Sequence, residues 1–164
     1  GNAASILQKN DGALIDAHDI AIRMNRGAPV LESAQGKKFD VWCYSTGRWV
    51  KSELPEYPRV PAIWMSPKLR EEQDPSFPCA FYPMELWQEI FDLLRARPSV
   101  GAMTCHMLAG LDLKMATCFG FDFKVSGTFY ESIMHVGPHD FTAESDYIRG
   151  LCQSEKWAFV SCAQ

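Results

Sequence analysis

A chain of 164 residues, 47% hydrophobic and 22% charged, is long enough to bury the core of one domain without disulfides or metal. Its formal net charge of −4 argues against a general nucleic-acid binder, which needs a basic face. No apolar run reaches the length of a membrane-spanning helix, so no span is expected in this segment.

In chain order, Gly1-Asn2-Ala3-Ala4-Ser5 opens with small residues that let backbone approach a ligand closely. The alternation of Ile20–Met24 predicts a strand, yet it carries Arg23 and breaks at Asn25-Arg26-Gly27, with Pro29 beyond. Asn25 there is either a residue that tolerates a left-handed turn or an amide set at a strand tip to hold something. Phe39–Tyr44 and Ala62–Met65 predict two further strands. Residues 45–83 hold seven of the ten prolines, which predicts a loop-rich segment folded over one end of the sheet. Trp42, Trp49, Trp64 and Tyr82 offer stacking surfaces for sugar, with core packing the expected use of Trp42 and Trp64.

Met84–Arg97 places Leu86, Ile90, Leu93 and Leu94 on one helical stripe, and Pro98 ends it. A second helix is predicted over Gly101–Leu111. Met115–Phe121 reads as a strand running into GFDF (120–123) and KVSGTFY (124–130). PHDFTAE (138–144) enters a helix over Thr142–Cys152, and Trp157–Ser161 is the last strand. Strands alternating with helices predict an α/β domain spanning 1–164, with a mainly parallel sheet flanked by helices. In such sheets ligands bind beyond the carboxyl ends of the strands.

The residues at those ends each have a plain and a chemical reading. Ser99 is an N-cap, or with Val100 and Gly101 it forms an anion site at a helix start. Gly120 and Asp122 form a turn after a strand, or part of a binding loop. Tyr130 is a packed aromatic or a ligand hydroxyl. His18 reads as a cap and His106 as a core or groove histidine, while His135 stays open. His139 precedes a helix that Asp140 or Thr142 can cap, where a neutral imidazole would serve as general base. Glu144, one turn in, could orient loop groups or strengthen the cap.

The six cysteines (43, 79, 105, 118, 152, 162) include no CxxC pair and no tight Cys/His cluster, which argues against zinc. Cys43, Cys105 and Cys118 lie in apolar stretches, which favours reduced, buried thiols, although an even count also permits disulfides. No DxD occurs, consistent with a site that needs no metal.

Taken in order, GN, IDAHDIAIRMNRGAP, RPSVG, GFDF, TFY and HDFTAE resemble the motifs of the eukaryotic-type sialyltransferases, glycosyltransferase family 29. Gly1-Asn2 and Ile15–Pro29 are similar to the long motif, Pro98–Phe121 to the short one, and His139 to Glu144 to the terminal HxxxxE. The run from Gly120 to Tyr130 is also similar to the phosphate-binding stretch of a bacterial sialyltransferase family, which makes the chain look like a bacterial-type relative. The resemblance implies a single Rossmann-like domain of variant GT-A type that transfers sialic acid from CMP-sialic acid to a glycan acceptor, with inversion and without metal or other cofactor. It implies that Asn2 and Asn25 bind the CMP moiety, that Ser99, Val100, Gly101 and Gly120 cradle the nucleotide, and that Tyr130 donates to the leaving phosphate. His139 takes the acceptor proton in that scheme, with Glu144 and Asp122 in support.

The chain departs from the family at Val100, where threonine is usual, and at Thr128, where a histidine is usual; His135 is a stand-in for the latter. Leu111–Lys114 lacks the cysteine of the animal members' disulfide, which favours a cytoplasmic bacterial enzyme over a Golgi one. The strand expected ahead of Gly1-Asn2 is not in the sequence, so a domain without its first strand is expected. Three other readings stand beside this one: a transferase of a related CMP-activated sugar, a CMP-sugar-binding module without transfer activity, and an α/β protein-interaction domain.

Overall fold

The computed structural model describes residues 1–45, 59–131 and 137–161. Alternation in β1 (Ile22–Met24) and continuous apolar runs in β2 (Val41–Tyr44) and β3 (Ala62–Trp64) build three strands, to which the two-residue β4 (Ala80–Phe81) is added. They form one sheet in the order β1-β2-β3-β4, with every pair parallel. A second parallel pair joins β5 (Ala116–Cys118) to β6 (Trp157–Phe159). The α/β architecture expected from the sequence is therefore present, with its parallel pairing divided between two sheets. Each strand is shorter than its apolar run. Ile20 (61% exposed) and Met115 (56%) lie outside the ladders.

Alternation also sorts the core. Met24 and Cys43 face one side and pack with Met65, Trp87, Ile90 and Met103. Trp42, Tyr44 and Trp64 face the other and cluster with Phe77. Trp42 and Tyr44, two apart on β2, stack with ring centroids 4.1 Å apart. Trp42 and Trp64 are core residues, as expected. Tyr82 is fully buried as well, with its hydroxyl on the Met103 carbonyl at 3.2 Å, so it offers no stacking surface for sugar. Trp49 lies outside the described residues.

The short helices α1 (Gly12–Asp16) and α2 (Glu32–Gln35) carry too few turns to show periodicity, and the sequence reading missed them. Helix α3 (Met84–Leu94) buries Trp87, Ile90 and Leu94, at spacings that return to one face. It stops three residues short of the predicted end because Arg95 turns left-handed, at φ 54°. Helix α4 (Val100–Ala109) buries five of its first six residues and is capped by the Ser99 hydroxyl, which accepts from the Ala102 N–H at 3.2 Å. Helix α5 (Phe141–Leu151) is capped by Asp140 rather than Thr142; its carboxylate accepts from the N–H groups of Thr142 and Ala143, each at 3.0 Å.

In the described part of the proline-rich segment, short elements interrupt the loops. Besides β3 and β4 it contains a 3-10 turn over Pro67–Glu72, while residues 46–58 lie outside the described chain. Arg23, unexpected in a strand, points its guanidinium at the carbonyls of Gln35 (2.7 Å) and Lys38 (2.8 Å), tying β1 to the turn before β2. Because the ladders are parallel and in register (Met24 opposite Cys43, Tyr44 opposite Trp64), the carboxyl ends of β1, β2 and β3 open on one edge.

Candidate functional site

A cavity of about 750 Å³ opens at that edge. Asn25, Ser45 and Met65, the first residues after β1, β2 and β3, line it. So do Gly120 beyond β5, the start of α4 at Ser99, Val100 and Gly101, and His139 before α5. All ten candidates drawn from the sequence meet here: Asn2, Asn25, Ser99, Val100, Gly101, Gly120, Asp122, Tyr130, His139 and Glu144.

Asn25 takes the left-handed turn of its first reading and sits at the strand tip, on the cavity wall. Its φ of 47° is left-handed, and its side-chain carbonyl accepts from the Ser45 N–H at 3.0 Å and the Ser45 hydroxyl at 3.3 Å. Its backbone carbonyl accepts from the indole N–H of Trp42 at 2.7 Å. The turn thus locks β1 to β2, and the side-chain NH2 is left as the group Asn25 can offer a ligand. Asn2 donates to the Met24 carbonyl at 2.8 Å and to the Tyr130 hydroxyl at 3.3 Å, bridging the β1 tip to the loop after β5.

The small residues at the chain's start line the cavity at Gly1 and Ala3 and also permit a close backbone approach within the chain. Gly1 packs on Gly120: a Cβ on Gly1 would fall 2.0 Å from the Gly120 carbonyl oxygen. Gly120 has φ +68°, and its own Cβ would fall 2.6 Å from the Gly1 carbonyl oxygen. Ala3 then donates its N–H to Gly120 at 3.1 Å and Ala4 to Gly127 at 2.8 Å.

Asp122 is spent on the loop itself. One carboxylate oxygen accepts from the Ser5 hydroxyl (2.9 Å), the Ser126 N–H (2.9 Å) and the Ser126 hydroxyl. That clamp holds Phe123 (φ 54°) and Lys124 (φ 67°) in left-handed backbone that non-glycine residues adopt at a cost of about 1–2 kcal/mol each. Tyr130 follows, half-buried, with the Arg26 guanidinium 5.2 Å from its ring centroid. Burial raises its phenol above the ordinary value, so near neutral pH it is protonated and can donate.

Glu144 is buried, at 3% exposure, beside Ser99. Its carboxylate accepts from the Ser99 N–H at 2.7 Å and from the Ser99 hydroxyl at 2.6 Å. Both donors of Ser99 are therefore committed. At the start of α4 the groups left for an anion are the N–H groups of Val100 and Gly101, so the expected cradle is narrower than Ser99 to Gly101. Burial is the main cause that raises the Glu144 carboxyl above its ordinary value; the two bonds from Ser99 oppose it.

The Nδ1–H of His139 donates to the Arg97 carbonyl at 2.8 Å. A carbonyl only accepts, so Nδ1 carries a proton, and in the neutral tautomer that this bond selects the lone pair is on Nε2. His18 donates to the Leu14 carbonyl and bonds the Thr117 hydroxyl, both at 2.9 Å, and is not among the cavity residues. His106 lies between Tyr147 (2.8 Å) and Glu89 (3.4 Å), a structural position. His135 lies outside the described residues, and Thr128 pairs through its backbone with Ala3 and Glu131. Among the described residues no three His, Cys, Asp or Glu side chains gather to hold a metal, and Cys43, Cys79, Cys105, Cys118 and Cys152 are free thiols.

The sequence reading missed three contributors: the Arg97 carbonyl that orients His139, the Ser5–Ser126 pair on Asp122, and Lys68 on Trp87. Arg97 carried a faint signal, since it precedes Pro98 and Ser99 in the short motif.

No protein-family model matches the chain. No curated protein matches it either. Among solved structures, likenesses show the fold, an α/β arrangement of parallel strands flanked by helices. The chain is similar to a crystal structure of a mammalian sialyltransferase, with a TM-score of 0.68 over 98% of this chain at 21% identity. It is similar also to a mammalian sialyltransferase in complex with Gal-beta-1-3GalNAc-ortho-nitrophenol, with a TM-score of 0.67, 98% coverage and 21% identity. The chain spans 66% of the length of each of those two chains.

Proposed function

We propose that this domain transfers sialic acid from CMP-sialic acid to a glycan hydroxyl, with inversion and without a metal ion. The observation that carries the reading is the meeting of Asn2, Asn25, the start of α4, Tyr130 and His139 in one cavity. The fold likeness to mammalian sialyltransferases, one of them bound to a galactose-containing acceptor analogue, supports it.

In this reading the amides of Asn2 and Asn25 bind the CMP moiety. Val100 and Gly101 N–H groups and the Tyr130 hydroxyl hold the phosphate as the bond from the anomeric carbon to the phosphate oxygen breaks. The electron pair leaves on CMP. The acceptor oxygen attacks the opposite face of the anomeric carbon, and its proton passes to Nε2 of His139. The Arg97 carbonyl holds that ring in the required tautomer. Because the leaving group departs as an anion, helix N–H groups and a phenol suffice in place of a divalent cation, in keeping with the lack of any DxD.

The test is CMP release from CMP-sialic acid, with and without a galactoside acceptor, in EDTA. Acceptor-dependent release that His139→Ala lowers about 100-fold or more, with CMP affinity retained, supports transfer. CMP binding with no release in any condition favours a CMP-sugar-binding module. Absence of CMP binding refutes both.

A further inference from the structure

Among the described residues, three lysine and arginine side chains line the cavity: Lys68, Arg97 and Lys124. They are not equivalent. The Lys68 ammonium sits 3.6 Å from the ring centroid of Trp87, whereas that of Lys124 stands 5.9 Å from Phe141. Trp87 is itself immobile, at 8% exposure, packed in the core beside Met65 and Ile90 and stacked on Phe91 at 5.0 Å. Lys68 follows β3 on the 3-10 turn Pro67–Glu72, on the wall of the cavity built by β3 and α3.

The indole face occupies one side of the ammonium, and the remaining N–H groups have no carboxylate partner among the described residues. Of the carboxylates lining the cavity among the described residues, Glu144 is bonded to Ser99 and one oxygen of Asp122 to Ser5 and Ser126, and neither these nor Glu131 pairs with Lys68. Lys68, itself exposed, is thus a cation on the cavity wall, seated on an indole and without a carboxylate partner among the described residues. A donor of the proposed class carries two anionic groups, a phosphodiester and the carboxylate of its sugar. The start of α4, with Tyr130 and Asn2, accounts for the first and leaves the second without a partner.

We propose that Lys68, seated on Trp87, recognises the carboxylate of the transferred sugar and so selects a carboxylated donor. The assignment rests on the transferase reading above. It is tested by equilibrium binding of CMP and of CMP-sialic acid to the wild type, Lys68→Met and Lys68→Arg, with thermal unfolding to confirm that each variant folds. Lys68→Met should leave CMP affinity within about twofold and weaken CMP-sialic acid about tenfold, and Lys68→Arg should recover most of that loss. Equal losses for the two ligands, or no loss for either, overturn the assignment. A wild type that binds CMP but not CMP-sialic acid also overturns it while leaving a CMP site in place. A wild type that binds neither removes the transferase reading and this assignment together.

Discussion

Glu144 holds Ser99 with both carboxylate oxygens, one on the backbone N–H at 2.7 Å and one on the hydroxyl at 2.6 Å. This single contact fastens the first turn of α5 to the cap of α4, across 45 positions of sequence. It fixes the relation between the helix start that faces the cavity and the loop that carries His139.

Glu144→Ala strands two part-buried donors on Ser99. Leaving such groups unsatisfied costs about 1–3 kcal/mol each, so a loss of roughly 3 kcal/mol in urea-unfolding stability is expected. A loss below about 1 kcal/mol would mean that the clamp is not a structural necessity.

The same carboxyl predicts a pH dependence. Burial raises its value in the folded chain above the ordinary 4.5, with the bonds from Ser99 and the charge of His139 acting in the opposite sense. The folded state then holds the proton more tightly than the unfolded one. The associated stabilisation is complete below pH 4.5 and declines as pH rises through the raised value. Relative to Glu144→Gln, the wild type should therefore lose stability as pH climbs out of the acid range. Parallel stability-against-pH curves for the two proteins would contradict this.

Asn25 can be divided into its two roles by substitution. Its φ of 47° disfavours alanine by about 1 kcal/mol, whereas glycine takes that conformation freely. Both replacements lose the bonds to Ser45, so Asn25→Gly should be more stable than Asn25→Ala by about 1 kcal/mol. CMP affinity should fall alike in both, since both lack the amide. Full affinity in the glycine variant would confine Asn25 to its turn.

Gly120→Ala puts a methyl group 2.6 Å from the Gly1 carbonyl oxygen and 3.0 Å from Ile6 Cδ1, at a φ of +68°. Strain and displacement together should cost about 2 kcal/mol or more. Chemical unfolding measures it directly, and a neutral substitution would show that Gly1 can move aside.

Helix α3 and the central strands were legible from their apolar residues, as in Trp87, Ile90 and Leu94 or in Trp42 and Tyr44, while α4, buried nearly all round, was marked by its cap and flanking Pro98. The location of the site was legible for a related reason. A parallel sheet directs every strand's carboxyl end to one edge, so the residues after Met24, Tyr44 and Trp64 had to meet there. The extra turns at Ala4–Gln8, α1 and α2 were not, being too short to show a period.

The sequence alone determined which residue types stand at the strand tips and helix starts, since periodicity and capping chemistry act over a few neighbouring positions. Only the tertiary structure decided which of their polar groups are still free. Ser99 is spent on Glu144 and Asp122 on Ser5 and Ser126, whereas His139 keeps Nε2 because Arg97 takes the other nitrogen. A hydrogen bond formed in one place is unavailable in another, and partners so far apart in the chain leave no local pattern to read.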